Sequence, residues 1–166
     1  MNKQNYISLA KRAANIQIRE LSKVKKIFNK NFVKAVDLIL NCKGKVILAG
    51  IGKSGLIARK ISATLSSVGI PSFFCDPAQA LHGDMGQIEK KDILIIFSYS
   101  GNTAELSNML RYANRYRIKI IGVASKPDSI LLKASDIKLV VPKVRESDMT
   151  GMVPTSSTSL TLLLGD

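Results

Sequence analysis

Between Tyr6 and Phe28 the apolar residues Ile7, Ala10, Ala14, Ile18, Leu21, Val24 and Phe28 recur at steps of three and four. That spacing predicts one long amphipathic helix with a single apolar stripe. A second helix is predicted over Phe32–Cys42, carrying Val33, Val36 and Leu40. From Lys45 the pattern changes to short apolar runs: Lys45–Ala49, Ser72–Cys75, Ile93–Phe97, Ile118–Ala124 and Ile137–Val141. Helical stretches separate them at about Ser54–Val68, Asn102–Arg115 and Ser129–Ala134, and another begins near Ser156. Strands that are apolar throughout and alternate with helices predict a parallel sheet covered on both faces. Right-handed crossovers then give a doubly wound, flavodoxin-like α/β/α sandwich of three layers with a five-stranded sheet. The expected organisation is residues 1–42 as helices packing on the body or on a second subunit, and residues 43–166 as the α/β domain.

In such a sheet, ligands bind beyond the carboxyl ends of the strands. The first such loop is Gly50-Ile51-Gly52-Lys53-Ser54-Gly55, a G-x-G-x-x-G between strand and helix. Its glycines allow a sharp turn and a close backbone approach to a ligand. With Asp76 at the end of the second strand, a nicotinamide dinucleotide site is one reading. Lys53 suits a single phosphate or a sugar oxygen better. The Walker A pattern fails, because Ile47 stands where it needs glycine.

After the third strand, Ser98, Ser100 and Thr103 surround Gly101 at a predicted helix start. Hydroxyls, backbone N–H groups and a helix dipole together make a cradle for a phosphate monoester. Glu105 reads first, by position, as the acid of a capping box with Asn102; it also lies within reach of a sugar whose phosphate sits in that cradle. His82 is the only histidine, in a loop of small residues at the same edge. After the fifth strand come Glu146 and the hydroxyl cluster that includes Ser156 and Ser157, able to bind a polar ligand or to cap the last helix.

Composition narrows the classes. The 166 residues are 46% hydrophobic and 22% charged, ordinary for a globular domain. No apolar run is long enough to span a membrane, and the first thirty residues lack a signal-peptide core. The net charge of +13 is spread along the whole chain without a nucleic-acid-binding motif, so no nucleic-acid partner is expected. It would still draw in an anionic metabolite. Cys42 and Cys75 lack metal-type spacing and read as buried free thiols in a reducing cytoplasm. No metal and no cofactor is expected.

Taken in order, G-x-G-K-S-G, A-L-H-G-D-M-G, S-x-S-G-x-T-x-E and P-T-S-S-T resemble the sugar isomerase (SIS) domain of the D-arabinose-5-phosphate isomerases. The resemblance runs from about Lys43 to Asp166. It implies interconversion of D-ribulose 5-phosphate and D-arabinose 5-phosphate, a step toward the eight-carbon acid Kdo of lipopolysaccharide or capsule. It implies Lys53, Glu105 and Glu146 as catalytic positions. Gly52, Ser54, His82, Ser98, Ser100, Thr103, Ser156 and Ser157 would contact substrate. A glutamate of raised pKa would move the C1–C2 proton, and Lys53 would steady the oxyanion; which glutamate is the base stays open. The resemblance also implies a homodimer or homotetramer, and a catalytic histidine in an H-P-G-G segment that would lie past Asp166. Asp76 stands where family members often carry a second histidine.

Overall fold

A computed structural model describes residues 3–166. The five parallel strands are β1 (Val46–Gly50), β2 (Ser72–Cys75), β3 (Ile93–Phe97), β4 (Lys119–Ala124) and β5 (Ile137–Val140). Their order in the sheet is β2-β1-β3-β4-β5. Registers run Gly50 beside Phe97 and Phe97 beside Val123, so the carboxyl ends of β1, β3 and β4 lie level. The chain reverses its winding at β1, which puts the switch point between the ends of β1 and β3.

Each central strand is buried on both faces, and its residues alternate between two cores. Val46 and Leu48 of β1, Ile93, Ile95 and Phe97 of β3, and Ile121 and Val123 of β4 face one layer. That layer holds α2 (Lys30–Leu40), α3 (Lys53–Ser67) and α6 (Ser156–Gly165). Ile47, Ala49, Leu94, Ile96 and Ile120 face the other, under α4 (Leu106–Arg115) and α5 (Ile130–Ala134). Asp92, buried at the far end of the sheet, accepts from Lys45 N at 2.7 Å and Glu89 N at 2.8 Å, so its desolvation is compensated and the starts of β1 and β3 are fixed together.

The first predicted helix differs. α1 runs Lys3–Leu21 and passes into a 3-10 segment, Ser22–Ile27. Val24 and Ile27 are the residues buried there, three apart, which matches three residues per turn and not the step of four from Val24 to Phe28. Phe28 is exposed and meets Phe32 edge-on, with ring centroids 4.9 Å apart. Ile7, Ala10, Ala14 and Ile18 of the predicted stripe also lie open to solvent, while α1 packs along α6 through its other side. Cys75 is buried and Cys42 half-buried; both are free thiols. Burial, and then the charges of Asp84 and Asp76, push the Cys75 thiol up to about 11, which keeps it unreactive.

Candidate active site

The β1–α3 turn brings Gly50 and Gly55 into contact. A Cβ on Gly55 would lie 2.6 Å from the Gly50 carbonyl oxygen, so only glycine lets helix and strand approach this closely. Gly52 adopts φ 57°, ψ −126°, and Lys53 follows as the first residue of α3, exposed. Lys53, Ser54, Tyr99, Glu146 and Ser157 line one open cleft of about 410 Å³, together with Met152, Pro154, Thr158 and Thr161. Three sequence segments far apart in the chain therefore meet at the switch point.

Glu146 sits in the irregular stretch between β5 and α6. Its Oε2 accepts from Thr155 N at 2.7 Å, Thr155 Oγ1 at 3.0 Å and Ser157 N at 3.2 Å. The carboxylate thus satisfies free N–H groups at the start of α6, where the helix dipole also favours it. Burial pushes the Glu146 carboxyl up, but the hydrogen bonds from Ser157 and Thr155 outweigh it and hold it below the usual glutamate range. The raised pKa expected for a catalytic glutamate is absent at Glu146, because its site is a helix N-terminus and not an apolar pocket. Ser156 is fully buried, its hydroxyl unpartnered among the described residues, and it does not line the cleft. Ser157, the next residue, does.

The Ser98–Thr103 loop forms a tight turn. Gly101 N donates to Ser98 O at 3.0 Å and to Ser98 Oγ at 3.1 Å, and the Ser98 and Thr103 hydroxyls lie 2.8 Å apart. Gly101 has φ 68°, and a Cβ there would lie 2.2 Å from Ser129 Oγ, so the turn requires glycine twice over. Ser100 is exposed and its Oγ accepts from Asn102 N at 3.3 Å. The N–H groups of Ser100, Thr103 and Ala104 find no acceptor among the described residues, which leaves donors for an anion.

The capping box expected of Asn102 and Glu105 does not form. α4 starts later than expected, at Leu106. Asn102 Oδ1 instead accepts from Ile130 N at 3.0 Å, tying the loop to α5. Glu105 is exposed and makes no side-chain cap. The capping role assigned to Glu105 by position is filled, at a different helix, by Glu146. His82 ends a short 3-10 turn, exposed, and stands outside the lining of the Lys53–Glu146 cleft. Asp76 Oδ1 accepts from Ala78 N at 2.9 Å, closing a turn of its own.

Tyr99 is the cleft residue least visible in the sequence. It occupies the variable position of the S-x-S-G segment, and its hydroxyl accepts from Val144 N at 3.1 Å. Burial pushes its phenol up. Thr161 follows Thr158 by three residues and Ser157 by four, the steps of one helix face, a spacing that does mark it.

The profile of the SIS domain matches residues 39–166. The chain belongs to the SIS domain family. Its sequence is 41% identical over 162 residues to the arabinose 5-phosphate isomerase KdsD of Pseudomonas aeruginosa, covering 98% of this chain and 50% of that protein. It is 42% identical over 151 residues to the arabinose 5-phosphate isomerase GutQ of Escherichia coli K12, covering 91% of this chain and 47% of that protein. The chain spans about half the length of these curated relatives. Its fold superposes on c3406 of E. coli CFT073, solved in complex with arabinose 5-phosphate, with a TM-score of 0.95 at 34% identity, over 100% of this chain and 88% of that one. For this SIS domain, no described helix is long and apolar enough to cross a membrane.

Proposed function

We propose that this SIS domain carries the active site of a D-arabinose-5-phosphate isomerase, converting D-ribulose 5-phosphate to D-arabinose 5-phosphate and back. One observation carries the reading: Lys53 and Glu146 share a cleft at the β1–β3 switch point. The Ser98–Thr103 turn, with free N–H groups and hydroxyls, stands at the end of the neighbouring strand.

In this reading the phosphate sits on the Ser98–Thr103 turn and anchors the substrate away from the reacting carbons. Glu146, ionised at neutral pH, takes the proton from C2 of the open-chain aldose, or from C1 of the ketose. The C–H electrons form the carbon–carbon double bond of a 1,2-enediol, and the same proton returns to the other carbon. Thr155 N, Thr155 Oγ1 and Ser157 N all reach Oε2, and Oε1 is the oxygen assigned to that transfer. The Lys53 ammonium faces the oxygen that gains negative charge on the way. Glu105, exposed beside the phosphate turn and free of capping duty, exchanges the hydroxyl protons of O1 and O2. No redox partner is required, because the sugar's own carbons exchange oxidation state.

The exposed apolar residues Ile7 and Ile18 of α1 support self-association, as a homodimer or homotetramer, and the free thiols fit a cytoplasmic setting. The arabinose 5-phosphate made here would supply Kdo synthesis for lipopolysaccharide or capsule. The test is turnover of ribulose 5-phosphate by the natural polypeptide, beside calorimetric binding of arabinose 5-phosphate. Turnover that disappears in Lys53→Ala and Glu146→Gln supports the reading. Binding without turnover in the unaltered protein would make it a sugar-phosphate sensor instead.

A further inference from the structure

Glu20 is a charged side chain of the N-terminal helix with only 3% of its surface exposed, and the proton transfers above do not use it. Its Oε2 accepts from the backbone N of Arg145 at 3.1 Å, the residue immediately before Glu146. Its charge is balanced by Lys23, which also bonds to Oε2, and by Arg19 on Oε1 at 3.3 Å. One turn earlier, Gln17 Nε2 donates to Ser147 Oγ at 3.0 Å, the residue immediately after Glu146. One step later, Lys23 Nζ donates to the Lys143 carbonyl at 3.3 Å.

These contacts have an order. Gln17 and Glu20 of α1 and Lys23 of the 3-10 segment that continues it follow at three-residue steps, while their partners run back along the loop as 147, 145 and 143. Helix and loop therefore run antiparallel, joined rung by rung, with Glu146 between two rungs. Tyr99, a residue of the cleft wall, also fixes Val144, whose backbone N donates to its phenol oxygen. The stretch from β5 to α6 lacks regular structure of its own, so its backbone path depends on these side chains. Thr155 and Ser157 hold the Glu146 carboxylate itself; the ladder holds the backbone from which it projects.

We infer that Gln17, Glu20 and Lys23 act as a positioning ladder for Glu146, and that the N-terminal helix is in this way part of the isomerase machinery. Glu20 is the central rung, because it is the buried one and the one bonded to the neighbouring peptide group. A buried carboxylate there costs desolvation that an apolar residue would avoid. A well-packed apolar side chain could close the same space but could not accept from Arg145 N. The inference rests on the assignment of Glu146 to proton transfer.

The experiment uses the natural polypeptide with four variants: Glu20→Gln, Gln17→Ala, Glu146→Gln, and Glu20→Gln combined with Glu146→Gln. Isomerisation kinetics and thermal melting are measured on each. Small displacements of a reacting group can cost about a hundredfold in rate. Glu20→Gln keeps one acceptor oxygen but loses the charge that Lys23 and Arg19 hold in place, and this loosened rung is expected to lower kcat by about ten- to a hundredfold with KM nearly unchanged, because the phosphate turn is untouched. Gln17, at the half-buried end of the ladder, should give the same split more weakly, and decides the matter if Glu20→Gln fails to fold. In the Glu146→Gln background, Glu20→Gln should cause no further loss of kcat, which a general weakening of the fold would not reproduce. If Glu146→Gln is inactive while Glu20→Gln and Gln17→Ala keep full kcat, the ladder is structural only and the inference is overturned. Full turnover in Glu146→Gln would overturn the role of Glu146 itself, and the ladder with it.

Discussion

Thr155 grips Glu146 twice, through its backbone N at 2.7 Å and its hydroxyl at 3.0 Å. One carboxylate thus serves a helix terminus and a cleft together. Glu146→Gln keeps the shape, removes the charge and cannot take a proton. It is expected to lower the rate by about 10²–10⁴-fold, as loss of a positioned base does. It should also cost about 0.5–2 kcal/mol of stability, the range for losing a cap. Steady-state kinetics and denaturant unfolding on the same sample check both numbers; a stable but inactive variant would mean that the capping contacts survive the amide.

Glu105 predicts the opposite balance. It is exposed and caps nothing, so Glu105→Gln should leave stability within about 0.5 kcal/mol of the unaltered protein. Turnover should nevertheless fall strongly. A lowered melting temperature with normal turnover would remove Glu105 from the mechanism.

The turn proposed to hold the phosphate separates two serines. Ser100 is exposed, and Ser100→Ala should weaken arabinose 5-phosphate binding by roughly 1.5–3 kcal/mol, the loss of one charge-assisted hydrogen bond, with little change in stability. Ser98 is buried and bonded to Gly101 and Thr103, so Ser98→Ala should also lower stability by about 1 kcal/mol. Calorimetric titration beside thermal melting distinguishes them. Unchanged affinity in both would place the phosphate elsewhere.

Gly101→Ala meets two obstacles at once: a left-handed backbone at φ 68° and the Ser129 hydroxyl 2.2 Å from the new Cβ. The backbone term alone is about 1–2 kcal/mol. Ser129→Gly should relieve the contact but not the backbone strain, so the double variant should recover part of the lost melting temperature.

Acid should loosen the β5–α6 loop. At Glu20, the hydrogen bond from Lys23 leads in holding the carboxyl below its usual value of 4.5; at Glu146, burial pushes up but the bonds from Ser157 and Thr155 win. A carboxyl with a depressed folded pKa contributes its stability fully above the unfolded value and loses it as pH falls through the folded one. Unfolding midpoints should therefore hold steady down to about pH 5 and decline below about pH 4.5. Glu20→Gln and Glu146→Gln should each make that decline shallower.

The sheet was legible because its strands are buried on both faces, and continuous apolar runs such as Ile93–Phe97 say so directly. Helix ends were harder. Glu105 satisfied the spacing of a capping box, yet Asn102 is drawn away by Ile130, a residue of a later element that no local pattern announces. The candidate cleft was legible in part: Lys53 and Ser54 come directly after β1, whereas Ser157, Thr158 and Thr161 lie in α6, well past the end of β5. Glu20 and Gln17 were not, because a Gln-x-x-Glu-x-x-Lys line on an amphipathic helix looks like a solvated face. Only the docking of α1 against α6 and the loop before it turns that line inward.

That docking has a consequence for how the protein is made. Glu20 leaves the ribosome 125 residues ahead of Arg145, and Gln17 leaves it 130 ahead of Ser147. Throughout that interval Gln17 and Glu20 lack their partners on the loop, and α1 lacks α6. The contacts around Glu146 close only after β5 has joined the sheet and α6 has emerged. On the proposed reading, catalysis at this cleft therefore waits for α6, and a nascent chain stalled before it holds the glycine loop and the serine turn without Ser157, Thr158 and Thr161 of the cleft wall.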